Sequence, residues 1–212
     1  MNPYIFREYD IRGVVADDFS DEVVELLGKG IGTYFREKDA KTISLSGDIR
    51  LSTPHLKSIL TKGLLSTGID IIDLGIVPTP VNYYSMYVLP VDGAIQITGS
   101  HNPPDMNGFK ISLDKKAVFG KQIQRIKNII EKGVFAGDTG KVSEKSLLEE
   151  YKQMIISKIQ LARPLKIAMD CGNGAASLTA PEIFKKIGCQ VTELYCEVDG
   201  RFPNHHPDPT VP

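Results

Sequence analysis

A strand–helix–strand pattern occurs twice in this chain of 212 residues. Residues 41–48 read as an apolar strand and turn, 53–68 as an amphipathic helix stopped by a glycine, and 69–74 as a second strand. Residues 165–170, 178–188 and 189–195 repeat that order. Short apolar runs alternating with helical periods are the signature of β-α-β units, which cross over a parallel sheet with the helix packed on its face. The pattern predicts an α/β fold. A mixed sheet with helices on both faces forms the first domain, and an incomplete second domain of related β-α-β topology follows. The polar, glycine-containing stretch 136–140 marks the boundary, giving domains over 1–140 and 141–212.

The other elements follow from periodicity and caps. Residues 4–14 predict a strand running into a loop that carries Arg12. A helix is predicted over 21–38, capped by Ser20, with Val24, Leu27, Ile31 and Phe35 inward. Gly28, Gly30 and Gly32 weaken it, so close packing against the sheet is expected there. Thr53 is the expected cap of the next helix, with Pro54 at its first position. A short helix is predicted over 81–88 and another over 121–131, with Gly133 as its stop. Ser146 and Glu149 form a capping box for a helix reaching residue 159, whose apolar face is expected on the second domain.

Between the apolar run 94–97 and the alternating run 109–113 lies Thr98-Gly-Ser-His-Asn-Pro-Pro-Asp-Met-Asn-Gly-Phe-Lys110. Pro103 forces Asn102 into extended backbone, so no helix can absorb the serine. Gly99 allows close backbone approach. The Ser100 hydroxyl is thereby held at the C-terminal end of a strand, where open α/β sheets bind ligands. Ser100 can carry a phosphoryl group, and Lys110 and His101 can donate to transferring oxygens or move a proton. The bland alternative is a turn whose Ser, His and Asn bond their own backbone.

Composition narrows the function class. Apolar residues are 42% and charged residues 24%, ordinary for a globular protein. A net charge of −1 with no basic tract gives no footprint for nucleic acid or an anionic membrane. No apolar run has the length of a membrane helix and the N-terminus has no signal-peptide profile. Cys171, Cys189 and Cys196 are odd in number and form no Cys-x-x-Cys, which predicts free thiols in a reducing cytoplasm.

Three further motifs carry less. Gly140-Lys141 lacks the first glycine of a phosphate-binding P-loop and has Val142 after the lysine. Gly172-Asn-Gly174 follows a strand as a dinucleotide fingerprint does, with Glu193 about 20 residues on, but Ser177 replaces the third glycine. A tight turn is the simpler reading. Cys196, His205, His206 and Asp208 match no zinc spacing, and the two histidines are expected to bond backbone or solvent. Residues 197–212 hold many prolines without periodicity and predict an extended segment.

Thr98-Gly-Ser-His-Asn-Pro103 closely resembles the phosphoserine loop of the α-D-phosphohexomutases, the phosphoglucomutase and phosphomannomutase family. Asn107-Gly-Phe-Lys110, Tyr9-Asp-Ile-Arg-Gly13, Gly47-Asp-Ile-Arg-Leu-Ser52, Val77-Pro-Thr-Pro80, Asp170-Cys-Gly-Asn-Gly174 and Phe202-Pro-Asn-His-His-Pro207 resemble other blocks of that family, in its order. The resemblance implies a mutase that interconverts hexose 1- and 6-phosphates of mannose or glucose. Phosphorylated Ser100 passes its group to the sugar, and a hexose 1,6-bisphosphate intermediate returns the other phosphate. It also implies Mg²⁺ on the phosphoryl group of Ser100, Arg12 and Lys110 flanking the serine, His101 shaping the loop, and Tyr9 and Asn102 on the substrate. The family's Asp-Gly-Asp-Gly-Asp-Arg metal loop is absent from these 212 residues, as are its third and fourth domains. The expectation is an N-terminal portion of a longer enzyme, inactive alone. A non-catalytic phosphosugar-binding or regulatory module and a nucleotide-binding α/β domain are the alternatives.

Overall fold

The computed structural model describes residues 1–208 and 210. In chain order the elements are β1 (Ile11–Val14), α1 (Val15–Asp18), α2 (Asp21–Arg36), β2 (Thr42–Gly47), α3 (Thr53–Leu65), β3 (Asp70–Ile76), α4 (Thr79–Val88), β4 (Gly93–Ile97), β5 (Met106–Leu113), β6 (Lys116–Ala117), α5 (Lys121–Lys132), β7 (Val142–Glu144), α6 (Leu148–Lys158), β8 (Lys166–Asp170), α7 (Ala180–Lys186) and β9 (Gln190–Leu194). The first sheet runs β1-β5-β4-β2-β3-β7, with β6 on β5. It is mixed, as expected: β2 is parallel to β3 and β4, and β5 is antiparallel to β1 and β4. The second sheet is the parallel pair β8-β9.

One face of the first sheet is covered by α2, α3 and α5, and the core there holds Leu27, Ile31, Phe35, Leu60, Ile95 and Phe109. On the other face α4 lies over β2 and β4. That interface is polar. Asn82 donates to Ser46 Oγ (2.6 Å), Ser46 donates to Gln96 (2.6 Å), and Gln96 donates to the Val77 carbonyl (3.0 Å). Each of these three side chains has a partner, so the network fixes α4 and the 77–80 segment without stranding one of its own polar atoms.

Several local expectations are corrected. Arg12 lies in strand β1, not in a loop, and is only 9% exposed. Gly13 is no turn glycine; a Cβ there would overlap the Asp18 side chain, which accepts from Val14 N. Gly28 and Gly30 pack on other helices, and Gly32 on Thr67 just after α3, rather than on the sheet. Added Cβ atoms would meet the α3 backbone, Ile130 and Thr67. The cap of α3 is Ser52, because the Thr53 hydroxyl is already donated to Asp48 (2.8 Å). Ser146 and Glu149 form no capping box. Leu147 caps α6, and Glu149 pairs with Lys152. The start of α6 packs on the first sheet's side, where Leu147 joins Leu74, Val77 and Val81, because that apolar patch is open beside β3. Lys152 then reaches across to Glu182 of α7 (2.5 Å). Strand β7 extends the first sheet by pairing with β3 after residue 140. Residues 197–208 form no helix or strand, as expected.

Candidate active site

The 98–105 loop joins β4 to its antiparallel neighbour β5, so it sits over one end of the sheet. Ser100 has φ +56°, the left-handed region, which costs a residue with a side chain on the order of 1 kcal/mol or more. Such a residue persists only when its surroundings hold it, and here Arg50 does so. Arg50 is 1% exposed and donates to four carbonyls. Nη2 reaches Ser100 O (3.0 Å) and Asn102 O (2.6 Å), and Nη1 reaches Pro103 O (2.5 Å) and Met106 O (3.0 Å). Gly99 is required at this point because a Cβ would overlap the guanidinium.

Asp48 balances Arg50. Its carboxylate accepts from Arg50 Nε (3.2 Å), Arg50 N (3.0 Å), Thr53 Oγ1 (2.8 Å) and Thr98 Oγ1 (2.7 Å). Thr98 Oγ1 in turn accepts from Ser100 N (2.9 Å). Burial lowers the Arg50 pKa from its ordinary value, and Asp48 opposes that shift.

Ser100 itself is exposed at a cavity of about 510 Å³. Asp48 and Thr98 line it on the first domain, with the 78–80 segment beside them. Asp170, Gly172, Phe202 and His205 line the opposite side.

The other predicted residues divide into two groups. Asp10 brings Arg12 and Lys110 together, accepting from Arg12 Nη2 (2.5 Å) and Lys110 Nζ (3.5 Å). Two cations on one carboxylate leave a local positive charge, and Arg12 Nε is buried without a partner. Arg12 lies opposite Gly108 on β5, and Gly108 O accepts from Thr98 N (2.9 Å), so this cluster adjoins the base of the loop. Neither cation lines the Ser100 cavity. Tyr9 is exposed and stacks on Phe119 at 6.4 Å. His101 is exposed on the loop, close enough to Asp208 to lower that carboxyl after its own bonds to Thr210. Asn102 enters through its backbone, donating N–H to Gly99 O (3.0 Å).

The 170–174 turn holds chain rather than phosphate. Cys171 N goes to Leu194 O, Gly172 N to Asp170, Asn173 N to Tyr195 O and Gly174 N to Cys171 O. With these N–H groups engaged the turn offers no cradle to a dinucleotide, which needs them free. His205 bonds Asp170 through Nε2 (3.1 Å) and the His206 carbonyl through Nδ1 (2.7 Å). The His206 carbonyl first and Asp170 second raise the His205 pKa. For Asp170, burial acts upward, but the Gly172 N–H and His205 prevail and its pKa falls. Burial and the neighbouring Cys196 thiol push Cys171 up to about 12. Glu193 pairs with Lys185 instead of facing a ribose site.

Sequence reasoning missed Asp48 and Arg50 as site residues. The available signal was an acid and a base two positions apart directly after an apolar strand. Such charges are rarely buried unless paired.

A family model described as phosphoglucomutase/phosphomannomutase, alpha/beta/alpha domain I, matches residues 3–137, and the model of domain II of the same family matches residues 146–212. The phosphomannomutase/phosphoglucomutase of Pseudomonas aeruginosa is 44% identical over 208 residues, covering 98% of this chain and 45% of that protein. The phosphoglucomutase of Neisseria meningitidis is 44% identical over 210 residues, covering 98% and 46%. A crystal structure of a phosphoglucomutase/phosphomannomutase family protein from Burkholderia thailandensis superimposes with a TM-score of 0.94 at 40% identity, over 99% of this chain and 47% of that one. The chain thus spans about half the length of the curated relatives it matches.

Proposed function

This chain belongs to the phosphoglucomutase/phosphomannomutase family, and from that premise we propose that it supplies the phosphoryl-carrying part of a hexose phosphate mutase. The substrate class is a glucose or mannose phosphate, and Ser100 is the carrier. The observation that supports this most is the strained backbone at Ser100, held by a buried arginine and open to a cavity. Stored strain of this kind clusters at active sites, where it orients a reacting group in advance.

In the charging step the Ser100 Oγ–P bond forms and an O–P bond of the hexose 1,6-bisphosphate breaks. The hydroxyl proton passes to the departing sugar oxygen. Arg12 and Lys110 offset the charge on the phosphoryl oxygens, with Lys110 able to take part in the proton transfer. His101 shapes the loop. Tyr9 and Asn102 are assigned to the sugar side. In the reverse step phosphorylated Ser100 passes its group to the free hydroxyl of a hexose monophosphate, forming the bisphosphate, and return of that intermediate's other phosphate to Ser100 releases the isomer.

Mg²⁺ is the metal this chemistry takes in the family, where it neutralises the moving phosphoryl group. It wants about six oxygen ligands. A phosphorylated Ser100 provides one. The Asp48 carboxylate is saturated by four donors, and Asp170 is held by Gly172 and His205. Among the described residues no three His, Cys, Asp or Glu side chains form a metal cluster. The described residues of this chain therefore do not complete a Mg²⁺ site. The same reading divides the chain at about residue 140 into a first domain carrying the loop and a partial second domain, with further domains of the same polypeptide completing the site.

Intact-mass measurement tests the carrier. The chain, incubated with hexose 1,6-bisphosphate and Mg²⁺, should gain one phosphoryl group, and Ser100→Ala should gain none. An adduct that appears equally in both, or in neither, overturns the assignment.

A further inference from the structure

We propose that Arg50 and Phe202 are positioning residues for phosphoryl transfer at Ser100, an inference that rests on Ser100 being the carrier. Arg50 turns the carbonyls of Ser100, Asn102 and Pro103 inward. A trans peptide points its N–H opposite to its C=O, and no cis peptide occurs among the described residues. The peptides after Asn102 and Pro103 lead into Pro103 and Pro104, which carry no N–H. Of these three peptides only the one after Ser100 has a donor to turn outward, the N–H of His101. It carries no hydrogen bond among the described residues. Arg50 thus sets two things together: the left-handed backbone of Ser100 and an amide aimed out beside its hydroxyl, where an anionic phosphoryl group is stabilised.

Arg50 is itself covered by the second domain. The Phe202 ring lies over the guanidinium, 5.1 Å from its centroid, in range for a cation–π contact. Phe202 also has left-handed backbone, φ +50°. Gly200 presses against the backbone of Ile49 and Arg50 so closely that a Cβ would overlap it. Asn173, 3% exposed, seats this segment: its side chain donates to Glu197 O (2.9 Å) and accepts from Asn204 (2.7 Å), and its carbonyl accepts from Asp199 N (3.0 Å). A continuous set of contacts therefore runs from the 170–174 turn through Phe202 and Arg50 to Ser100. The loop is held in its transfer geometry while the Phe202 segment is seated, so placement of the second domain sets the reactivity of a serine on the first.

The rate of phosphoryl incorporation at Ser100 from hexose 1,6-bisphosphate and Mg²⁺, followed by mass, tests this in the 212-residue chain. Arg50→Lys cannot fork to four carbonyls and should slow incorporation about tenfold or more, a loss of roughly 1.4 kcal/mol in the barrier. Arg50→Ala should be slower still and regain rate with added guanidinium ion but not with ammonium, which a general loss of fold would not produce. Phe202→Leu should slow the step and shift the Ser100 and His101 amide resonances, while Phe202→Tyr keeps the wild-type rate. A folded Arg50→Lys chain labelled at the wild-type rate overturns the proposal. Should the Arg50 variants not fold, the Phe202 pair decides: Phe202→Leu at the wild-type rate with unshifted amides overturns it. Failure of the wild-type chain to label would instead remove the carrier reading on which it rests.

Discussion

Asp48→Asn removes the charge that balances Arg50 while keeping the side chain's shape. The Arg50 and Asp48 side chains are 1% and 11% exposed, so their ion pair belongs to the buried class. An exposed pair contributes about 0–1 kcal/mol, whereas removing one partner of a buried pair costs about 3–5 kcal/mol, because an uncompensated charge is left inside. Thr53 and Thr98 donate to different oxygens of Asp48, and the amide keeps one acceptor oxygen, so the loss combines the counter-charge with one of these hydrogen bonds. For a chain of this size each kcal/mol moves the melting temperature by about 2–4 °C, which gives a fall of roughly 6–20 °C. Scanning calorimetry of wild type, Asp48→Asn, Arg50→Met and the double variant measures it. Contacting residues should be non-additive by about 0.5–3 kcal/mol, so the double variant should melt above the sum of the two losses. An Asp48→Asn chain melting within about 1 °C of wild type would show that the pair carries no such weight.

Two further outcomes are accessible without catalysis. His205 should titrate above 6.5, because its folded form gains partners for both ring N–H groups. Its contribution is therefore complete below the unfolded value and lost as the pH rises through the raised folded value. The lowered Asp170 pKa acts at the other limit, its contribution disappearing as the pH falls through that folded value. Proton NMR of the His205 ring, with hydrogen exchange at Gly172, reads both, and a His205 midpoint at or below 6.5 refutes the dyad. For the division of the chain, limited proteolysis should leave a stable N-terminal piece ending near residue 140 or at the edge of β7. First cleavage within 69–111 would refute two separable domains.

Local patterning made most of the architecture legible. The apolar periods of α2, α3 and α5 and the glycine stops after the last two follow from chain-local geometry, as do the runs that became β2, β3, β4, β8 and β9. Pro103 and Gly99 marked the loop, and the ordered blocks from Tyr9 to Pro207 marked the family. Ser100 as a candidate carrier needed nothing beyond these signals.

What a linear reading lacks is the identity of the neighbour across space. Gly28, Gly30 and Gly32 announce close approach, but only the fold says that α3, Ile130 and Thr67 make it. The capping box at Ser146 satisfied every local rule and lost to the burial of Leu147 beside Val77, since apolar burial outweighs one cap bond. Asp48 and Arg50 follow a strand like an ordinary polar turn. They become the grip on the Ser100 loop because β2 and β4 are adjacent and parallel, which carries the residues after each strand to the same end of the sheet. Phe202 stands about 150 residues further along in sequence space and reaches Arg50 only because Asn173 seats its segment there. Strand and helix content is set by interactions a few residues apart. The charge pair, the turned peptides and the aromatic cover depend on which ends of which elements meet, and packing of the whole chain decides that.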